Sequence, residues 1–139
     1  MRILLLADNW VGLQVTRHLR DLGEDVVGLY LHPPEGQNLG EEITAASGLS
    51  ETEVHVAGAH WSDQDLELVR KLAPDIVLVV FWAHILPVEF LSIPSRCCVN
   101  LHLSYLPYNR GKKPNVWPIL DGTPAGVSIH VIDEGIDSG

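Results

Sequence analysis

The sequence predicts an α/β fold with a doubly wound, mainly parallel sheet, in one domain that spans residues 1–139. Short apolar runs alternate with amphipathic segments along the chain, as they do in successive strand–helix–strand units. Hydrophobic residues make up 46% of the chain and charged residues 19%, so a packed core is feasible and disorder is not expected. A length of 139 residues also suits one domain.

Six short apolar runs are predicted to be the strands of the sheet. Continuous runs of this kind are typical of parallel strands that are buried on both faces. They are RILLLA (2–7), DVVGLYL (25–31), EVHV (53–56), DIVLVV (75–80), CCVNLHL (97–103) and GVSIHVID (126–133). The run at 75–80 is the most apolar, and we therefore expect it inside the sheet.

The segments between the first runs carry helix signals. A helix is predicted to follow the first strand, because Asp8 or Asn9 can cap its start and Gly23 suits its C-terminal end. One face of this helix is predicted to carry Val11, Val15, Leu19 and Leu22. A short helix is also expected at 41–48.

Two further helices are predicted in the second half of the chain. Ser62 and Asp65 have the spacing of a capping box, and Pro74 ends the helix that they begin. The apolar face of that helix is predicted to carry Leu66, Val69 and Leu72. A last helix is predicted over 114–121, since it begins with a proline and Gly122 follows it.

The chain is acidic, with a formal net charge of −9 at pH 7. Residues 1–93 carry 14 acidic and 5 basic side chains, whereas residues 94–139 carry 4 of each. This charge disfavours binding to nucleic acid or to an anionic membrane surface. The one local basic cluster is formed by Arg110, Lys112 and Lys113.

Cysteine usage and hydropathy favour a cytoplasmic protein. Cys97 and Cys98 are adjacent, so on a strand they point to opposite faces and can form a disulfide only with strain. We therefore expect both thiols to be reduced. The start MRILLLADNW has some character of a signal peptide, but Asp8 ends the apolar run too early, and no segment is long enough to span a membrane.

Several common catalytic motifs are missing. The turn after the first strand, ADNWVG, has neither the GxGxxG pattern of dinucleotide-binding folds nor that of a Walker A loop. The seven histidines lack metal-ligand spacing and the two cysteines do not form C-x-x-C, so no metal site is predicted. No GxSxG elbow of a serine hydrolase is present.

The fifth strand carries the main functional signal, because two polar residues interrupt its apolar run. Asn100 and His102 are two positions apart and so point to the same face. They lie near the carboxyl end of the strand, where ligands of open α/β sheets bind. An amide can donate to a developing oxyanion, and an imidazole can carry a proton near neutral pH. The pair therefore suits acyl transfer.

A carboxylate would complete this group by orienting the imidazole. Candidates are Asp133, Glu134 and Asp137, which follow the last predicted strand. If that strand runs parallel to the others, its following turn lies at the same edge of the sheet as His102. A structural interpretation stays open, in which Asn100 and His102 satisfy loop backbone groups and DEGIDSG is an ordinary surface turn.

Residues 75–139 resemble the core of the folate-dependent formyltransferases, which include methionyl-tRNA, glycinamide ribonucleotide and amino-sugar N-formyltransferases. The family pattern reads N-x-H-P-S-L-L-P-x-x-R-G, then a G-V-T strand, then D-x-G-x-D-x-G. The chain matches this pattern at Asn100, His102, Ser104, Leu106, Pro107, Arg110, Gly111, Gly126, Val127, Asp133, Gly135, Asp137 and Gly139. WAHILP (82–87) is similar to a family segment that ends in I-L-P. Leu103 and Tyr105 depart from the pattern, although neither replaces a reacting group.

The resemblance implies a Rossmann-like formyltransferase fold and transfer of a formyl group from 10-formyltetrahydrofolate to a primary amine, with no metal. By position, Asn100 would stabilise the formyl oxyanion, and His102 would assist it and handle protons. Asp137 would tune His102 and relay a proton through water. The implied contacts of the folate are Ile85, Leu86, Pro87, Asp133, Glu134 and Gly135. The candidate acceptor contacts are Tyr105, Arg110, Lys112, Lys113 and Trp117, although buried packing is the favoured role of the two aromatic residues.

Within the family, the resemblance favours the amino-sugar branch. The turn ADNWVG does not match the Gly/Ser-rich phosphate loop of the glycinamide ribonucleotide enzymes, and a net charge of −9 suits tRNA poorly. A nucleotide-linked amino sugar carries phosphates that Arg110, Lys112 and Lys113 can meet. Two alternatives stay open: a non-catalytic folate-binding relative, and a fragment of a methionyl-tRNA formyltransferase. The chain stops before the family's usual last strand and helix, and a homodimer is one way to complete that edge.

Overall fold

The computed structural model describes residues 1–139 and shows one six-stranded sheet. The strands are β1 (Arg2–Ala7), β2 (Asp25–Leu31), β3 (Val54–Val56), β4 (Ile76–Val80), β5 (Cys97–His102) and β6 (Ser128–Val131). Their order across the sheet is β3-β2-β1-β4-β5-β6, and all neighbours are parallel except β5 and β6. The predicted doubly wound, mainly parallel α/β fold is confirmed, with β4 inside the sheet.

The connections hold five short helices. They are α1 (Asn9–Asp21), α2 (Gly40–Ser47), α3 (Asp63–Leu72), α4 (Val88–Leu91) and α5 (Trp117–Asp121). Ser62 caps α3 as predicted, because its hydroxyl accepts from the Asp65 backbone N–H while the Asp65 carboxylate accepts from the Ser62 N–H. α5 begins later than the predicted 114–121. None of these helices combines the length and the apolar character needed to cross a membrane.

β1 supplies the centre of the core on both faces of the sheet. Leu4 and Leu6 belong to a cluster on one face that includes the apolar side of α3. Ile3 and Leu5 belong to a second cluster on the other face, together with side chains of α1. All four are at most 5% exposed. Burial on both faces explains why this strand has no apolar–polar alternation.

The first helix buries most of the predicted face, since Leu19 is in the core and Val11 and Val15 are partly buried and pack against it, but the prediction is wrong for Leu22. Leu22 is 61% exposed and lies just beyond the helix. The buried positions are Gly12, Leu13, Thr16 and Leu19. Asp8 caps no amide of α1, because its carboxylate accepts instead from the backbone N–H and the side-chain N–H of Asn38, at 2.6 and 3.1 Å. The Asn9 side chain accepts from the Val11 N–H.

The last strand differs from the prediction in direction. β6 is antiparallel to β5, is shorter than predicted at both ends, and places His130 opposite Asn100. Its C-terminal end therefore lies toward the start of β5 and away from the edge where His102 ends the strand. The turn that follows β6 carries Asp137 back to His102, so the expected proximity arises by a different route.

Candidate active site

β5 places Asn100 and His102 at the carboxyl edge of the sheet. The His102 side chain is 7% exposed, and each of its ring nitrogens faces an oxygen. Nε2 lies 3.2 Å from the carbonyl oxygen of Asn109, and Nδ1 lies 3.6 Å from Oδ2 of Asp137. A carbonyl can only accept, so Nε2 is the protonated nitrogen of the neutral ring. Nδ1 is then the position at which His102 can exchange a proton beside Asp137.

Asp137 joins the two loops that follow β5 and β6. Its backbone is in the left-handed region, with φ of 48°, a conformation that aspartate tolerates better than most residues. Oδ2 accepts from the Gly111 backbone N–H at 2.8 Å, and Oδ1 lies 3.4 Å from the Asn100 amide nitrogen. The carboxylate therefore contacts both polar residues of β5. Of the three predicted carboxylate candidates, Asp137 is the one that reaches His102.

His130 is a fourth member of this cluster that the sequence interpretation missed. Its Nδ1 donates to the carbonyl of Val131 at 2.9 Å, so in the neutral ring Nε2 is an acceptor. Nε2 lies 3.3 Å from Nδ2 of Asn100 and 3.4 Å from Oδ1 of Asp137. The Asn100 amide is thus oriented by two acceptors. The signal was available in the sequence, since His130 is a polar residue on an apolar strand, as Asn100 and His102 are.

The four polar residues line a cavity of about 870 Å³, which is within the usual range for small-molecule sites. The predicted site residues that also line it are Ile85, Leu86, Asp133, Gly135, Lys112 and Lys113. Those that do not are Pro87, Glu134, Tyr105, Arg110 and Trp117. Tyr105 and Trp117 are 56% and 43% exposed, so buried packing, the favoured role for both, is wrong. Apolar side chains, Ile85 and Leu86 among them, therefore line the cavity together with the polar cluster.

A further part of the cavity wall consists of residues that the sequence interpretation did not name as site residues, although Trp82 and His84 lie in the WAHILP segment (82–87). It includes Asp8 at the end of β1, His32 at the end of β2, and Trp82 and His84 after β4. The His32 and Trp82 rings are stacked, with centroids 4.0 Å apart. Burial lowers the pKa of His32 from its ordinary value, and His84 lowers it further, whereas Asp8 and the Phe81 backbone raise it. No short-range pattern joins these residues, because they come from three separate strand ends.

Two other observations bear on the chemistry of the chain. Both thiols are free, and burial followed by the proximity of Cys97 raises the pKa of Cys98 to about 12. No group of three or more histidine, cysteine or acidic residues in the structure is placed to hold a metal ion.

Fold and site together define an α/β protein in which an amide, an imidazole and a carboxylate meet beside a cavity at the strand ends. Such a set can hold an oxyanion and move a proton, as acyl transfer to an amine requires. The family profile described as formyl transferase matches residues 17–139. The chain therefore belongs to the formyl transferase family, whose members are enzymes.

Comparison with individual proteins places the chain among several branches of this family. It is 32% identical to the methionyl-tRNA formyltransferase of Geotalea uraniireducens over 145 residues, covering 100% of this chain and 46% of that protein. The chain thus spans about half the length of the curated relatives it matches.

Solved structures of the family share the fold of this chain. A Mycobacterium tuberculosis protein for which sugar N-formylation has been suggested is 28% identical, with a TM-score of 0.72, and the match covers 99% of this chain and 50% of that one. The phosphoribosylglycinamide formyltransferase of Anaplasma phagocytophilum has a TM-score of 0.80 at 19% identity, with 100% of this chain and 68% of that chain covered. The second similarity concerns the fold alone.

Proposed function

We propose that this chain transfers the formyl group of 10-formyltetrahydrofolate to a primary amine. The observation that carries the proposal is the convergence of Asn100, His102 and Asp137 on one cavity in a member of the formyl transferase family. None of the three is adjacent in sequence to another, and the antiparallel β6 and its turn are needed to bring Asp137 to the other two.

Each residue has a distinct part in the proposed reaction. The amine nitrogen attacks the formyl carbon, and the negative charge that develops on the formyl oxygen is stabilised by an N–H of Asn100, which turns to it from one of its two acceptors, His130 Nε2 and Asp137 Oδ1. His102, held through Nε2 by the Asn109 carbonyl, stabilises that charge and exchanges a proton at Nδ1. Asp137, whose Oδ2 faces Nδ1 of His102, accepts the proton that the attacking amine loses, through water. The bond between the formyl carbon and the tetrahydrofolate nitrogen then breaks, that nitrogen takes up the proton that the amine lost, and the products are a formamide and tetrahydrofolate.

A nucleotide-linked amino sugar is the acceptor that we propose. Lys112 and Lys113 line the cavity and are exposed, so they are available to the phosphates of such a substrate. Arg110 does not line the cavity, so we propose no contact between Arg110 and the acceptor. A net charge of −9 also favours a small acceptor over a nucleic acid.

The similarity to methionyl-tRNA formyltransferases favours one alternative, in which the chain is part of a protein that acts on tRNA. Formylation of a small amino sugar and formylation of tRNA can be told apart by measuring whether the chain binds tRNA. Salt-sensitive binding of tRNA at low ionic strength would support the alternative, and its absence would support a small acceptor.

We also propose that the protein works in the cytoplasm, where its two free thiols stay reduced, and that it can form a homodimer.

The proposal is tested by an assay of formyl transfer from 10-formyltetrahydrofolate to nucleotide-linked amino sugars and to methionyl-tRNA. His102→Ala is expected to lower kcat by roughly 10²- to 10⁴-fold, the usual contribution of a general acid–base group. His18→Ala is a matched control, because His18 is exposed on α1 and does not line the cavity. If the unaltered chain binds 5-formyltetrahydrofolate by calorimetry but transfers nothing to any acceptor, it is a non-catalytic folate-binding relative.

A further inference from the structure

His32 is buried at the cavity, yet it has no part in the proposed chemistry. It directly follows β2 and is 3% exposed, which is rare for a histidine without a structural or functional reason. Its Nε2 accepts the backbone N–H of Ala83 at 3.3 Å. A ring nitrogen that accepts carries no proton, so this contact requires the neutral ring with its proton on Nδ1.

The backbone that His32 contacts is strained. Phe81, directly after β4, has φ of 61°, and this left-handed conformation is costly for a residue other than glycine. Strain of this kind persists only where neighbouring groups hold it in place. His32 supplies two such contacts in succession: it stacks on the Trp82 ring at 4.0 Å, with 19° between the planes, and it binds the Ala83 amide.

The strained turn determines where the following residues lie. Trp82, Ala83, His84, Ile85 and Leu86 all line the cavity that holds Asn100 and His102. Ile85 is 78% exposed, so little packing of its own holds it in the cavity wall. The position of this wall therefore depends on the turn, and the turn depends on its contacts with β2.

We infer that His32, as a neutral imidazole, is a positioning residue that holds Phe81–Leu86 as the folate-binding wall of the cavity. The inference rests on the proposed function for the identity of the ligand and on the Ala83 and Trp82 contacts for the mechanism. Protonation of His32 would place an N–H opposite the Ala83 N–H and abolish the hydrogen bond.

Two ionisable groups beside His32 have opposite effects on its pKa. Asp8, from the end of β1, favours the charged ring, and His84, from the segment after β4, disfavours it. Burial outweighs the carboxylate and keeps the pKa of His32 below its ordinary value. The wall is therefore expected to be ordered at neutral pH and to loosen only in acid.

Two substitutions separate the hydrogen bond from the ring packing. His32→Phe keeps a ring against Trp82 but removes the acceptor, and it leaves the Ala83 N–H without its partner in the protein. It is expected to raise the Kd of 5-formyltetrahydrofolate about tenfold at neutral pH. His32→Gln can offer an amide oxygen to Ala83 and cannot titrate, so it is expected to stay within about threefold of the parent and to lose the weakening of binding in acid.

The matched control is His18→Gln, which removes a histidine that is exposed on α1 and is expected to change neither the Kd nor its dependence on pH. Nitrogen NMR of the imidazoles gives a second readout that needs no ligand. The neutral His32 ring is expected to be the Nδ1–H tautomer. The NMR chemical shift of the Ala83 amide is expected to change with pH as the His32 ring becomes protonated.

The outcomes separate this inference from the proposed function. Equal affinity of His32→Phe and the parent, or an Nε2–H tautomer in the parent, would overturn the role of His32. Equal weakening by the Phe and Gln variants, with no change in the dependence on pH, would also overturn it. If the parent does not bind 5-formyltetrahydrofolate, the proposed function fails, and hydrogen exchange of the 81–86 amides decides the positioning role. Faster exchange in His32→Phe supports it, and unchanged exchange refutes it.

Discussion

Replacement of Asp137 by asparagine tests the electrostatic part of the proposed mechanism. The asparagine oxygen can still accept from the Gly111 N–H, so the loop contact at 2.8 Å is retained while the charge is lost. Two unit charges at 3.6 Å, the distance from His102 Nδ1 to Asp137 Oδ2, interact by about 1 kcal/mol in water and about 5 kcal/mol at the effective dielectric of a protein surface. Since about 1.4 kcal/mol is a factor of ten, Asp137→Asn is expected to lower kcat by roughly 10- to 10³-fold.

The assay is the initial rate of formyl transfer at saturating donor, with kcat and KM measured separately. A loss in kcat with little change in KM is expected, because the charge acts on the reacting proton and leaves binding of the acceptor intact. Asp121→Asn is the control, since Asp121 is an exposed carboxylate of α5 outside the cavity. A kcat of Asp137→Asn within about threefold of the parent would refute the reasoning, because it is smaller than the lowest Coulomb estimate allows.

Three further predictions concern stability, each measured by urea unfolding monitored by circular dichroism. Leu5→Ala is expected to lower the free energy of unfolding by about 2–5 kcal/mol, because Leu5 is fully buried in the sheet, and a loss below about 1 kcal/mol would contradict this. Ser62→Ala is expected to cost about 0.5–2 kcal/mol, because it removes the cap of α3, whereas Ser92→Ala, at an exposed site, is the comparison. Burial lowers the pKa of His32 and of His55, so the unfolded chain binds more protons than the folded chain below about pH 6.5. Stability is therefore expected to fall as the pH drops through that value, and constant stability down to about pH 5 would contradict the assignment.

The strands of the sheet could be predicted from the sequence because their signal is local. β1 and β2 were predicted to the residue, since each is a continuous apolar run ended by a polar residue or a turn. The pair Asn100 and His102 was also predictable, because a polar group within such a run costs free energy unless it has a partner or a function. The capping box at the start of α3 is a third local signal, and it too is confirmed.

The features that the sequence did not predict depend on contacts between distant segments. The direction of β6 is set by the long connection after β5, and nothing within SIHV distinguishes a parallel from an antiparallel strand. On the predicted face of α1, Leu22 was included and Leu13 was left out, because both are apolar and packing on the sheet decides between them. The contact of His32 with Ala83 joins residues 51 positions apart, which no periodicity can reveal.

Cys98 gives the chain an internal reporter of opening. It is 2% exposed in β5, two residues before Asn100, and its pKa of about 12 leaves almost no thiolate near neutral pH. An alkylating reagent can therefore modify Cys98 only after the strand separates from its neighbours, whereas Cys97 is only partly buried and serves as the reference within the same molecule. Because β5 lies between β4 and β6, the labelling rate of Cys98 measures how often the sheet opens at the strand that carries Asn100 and His102.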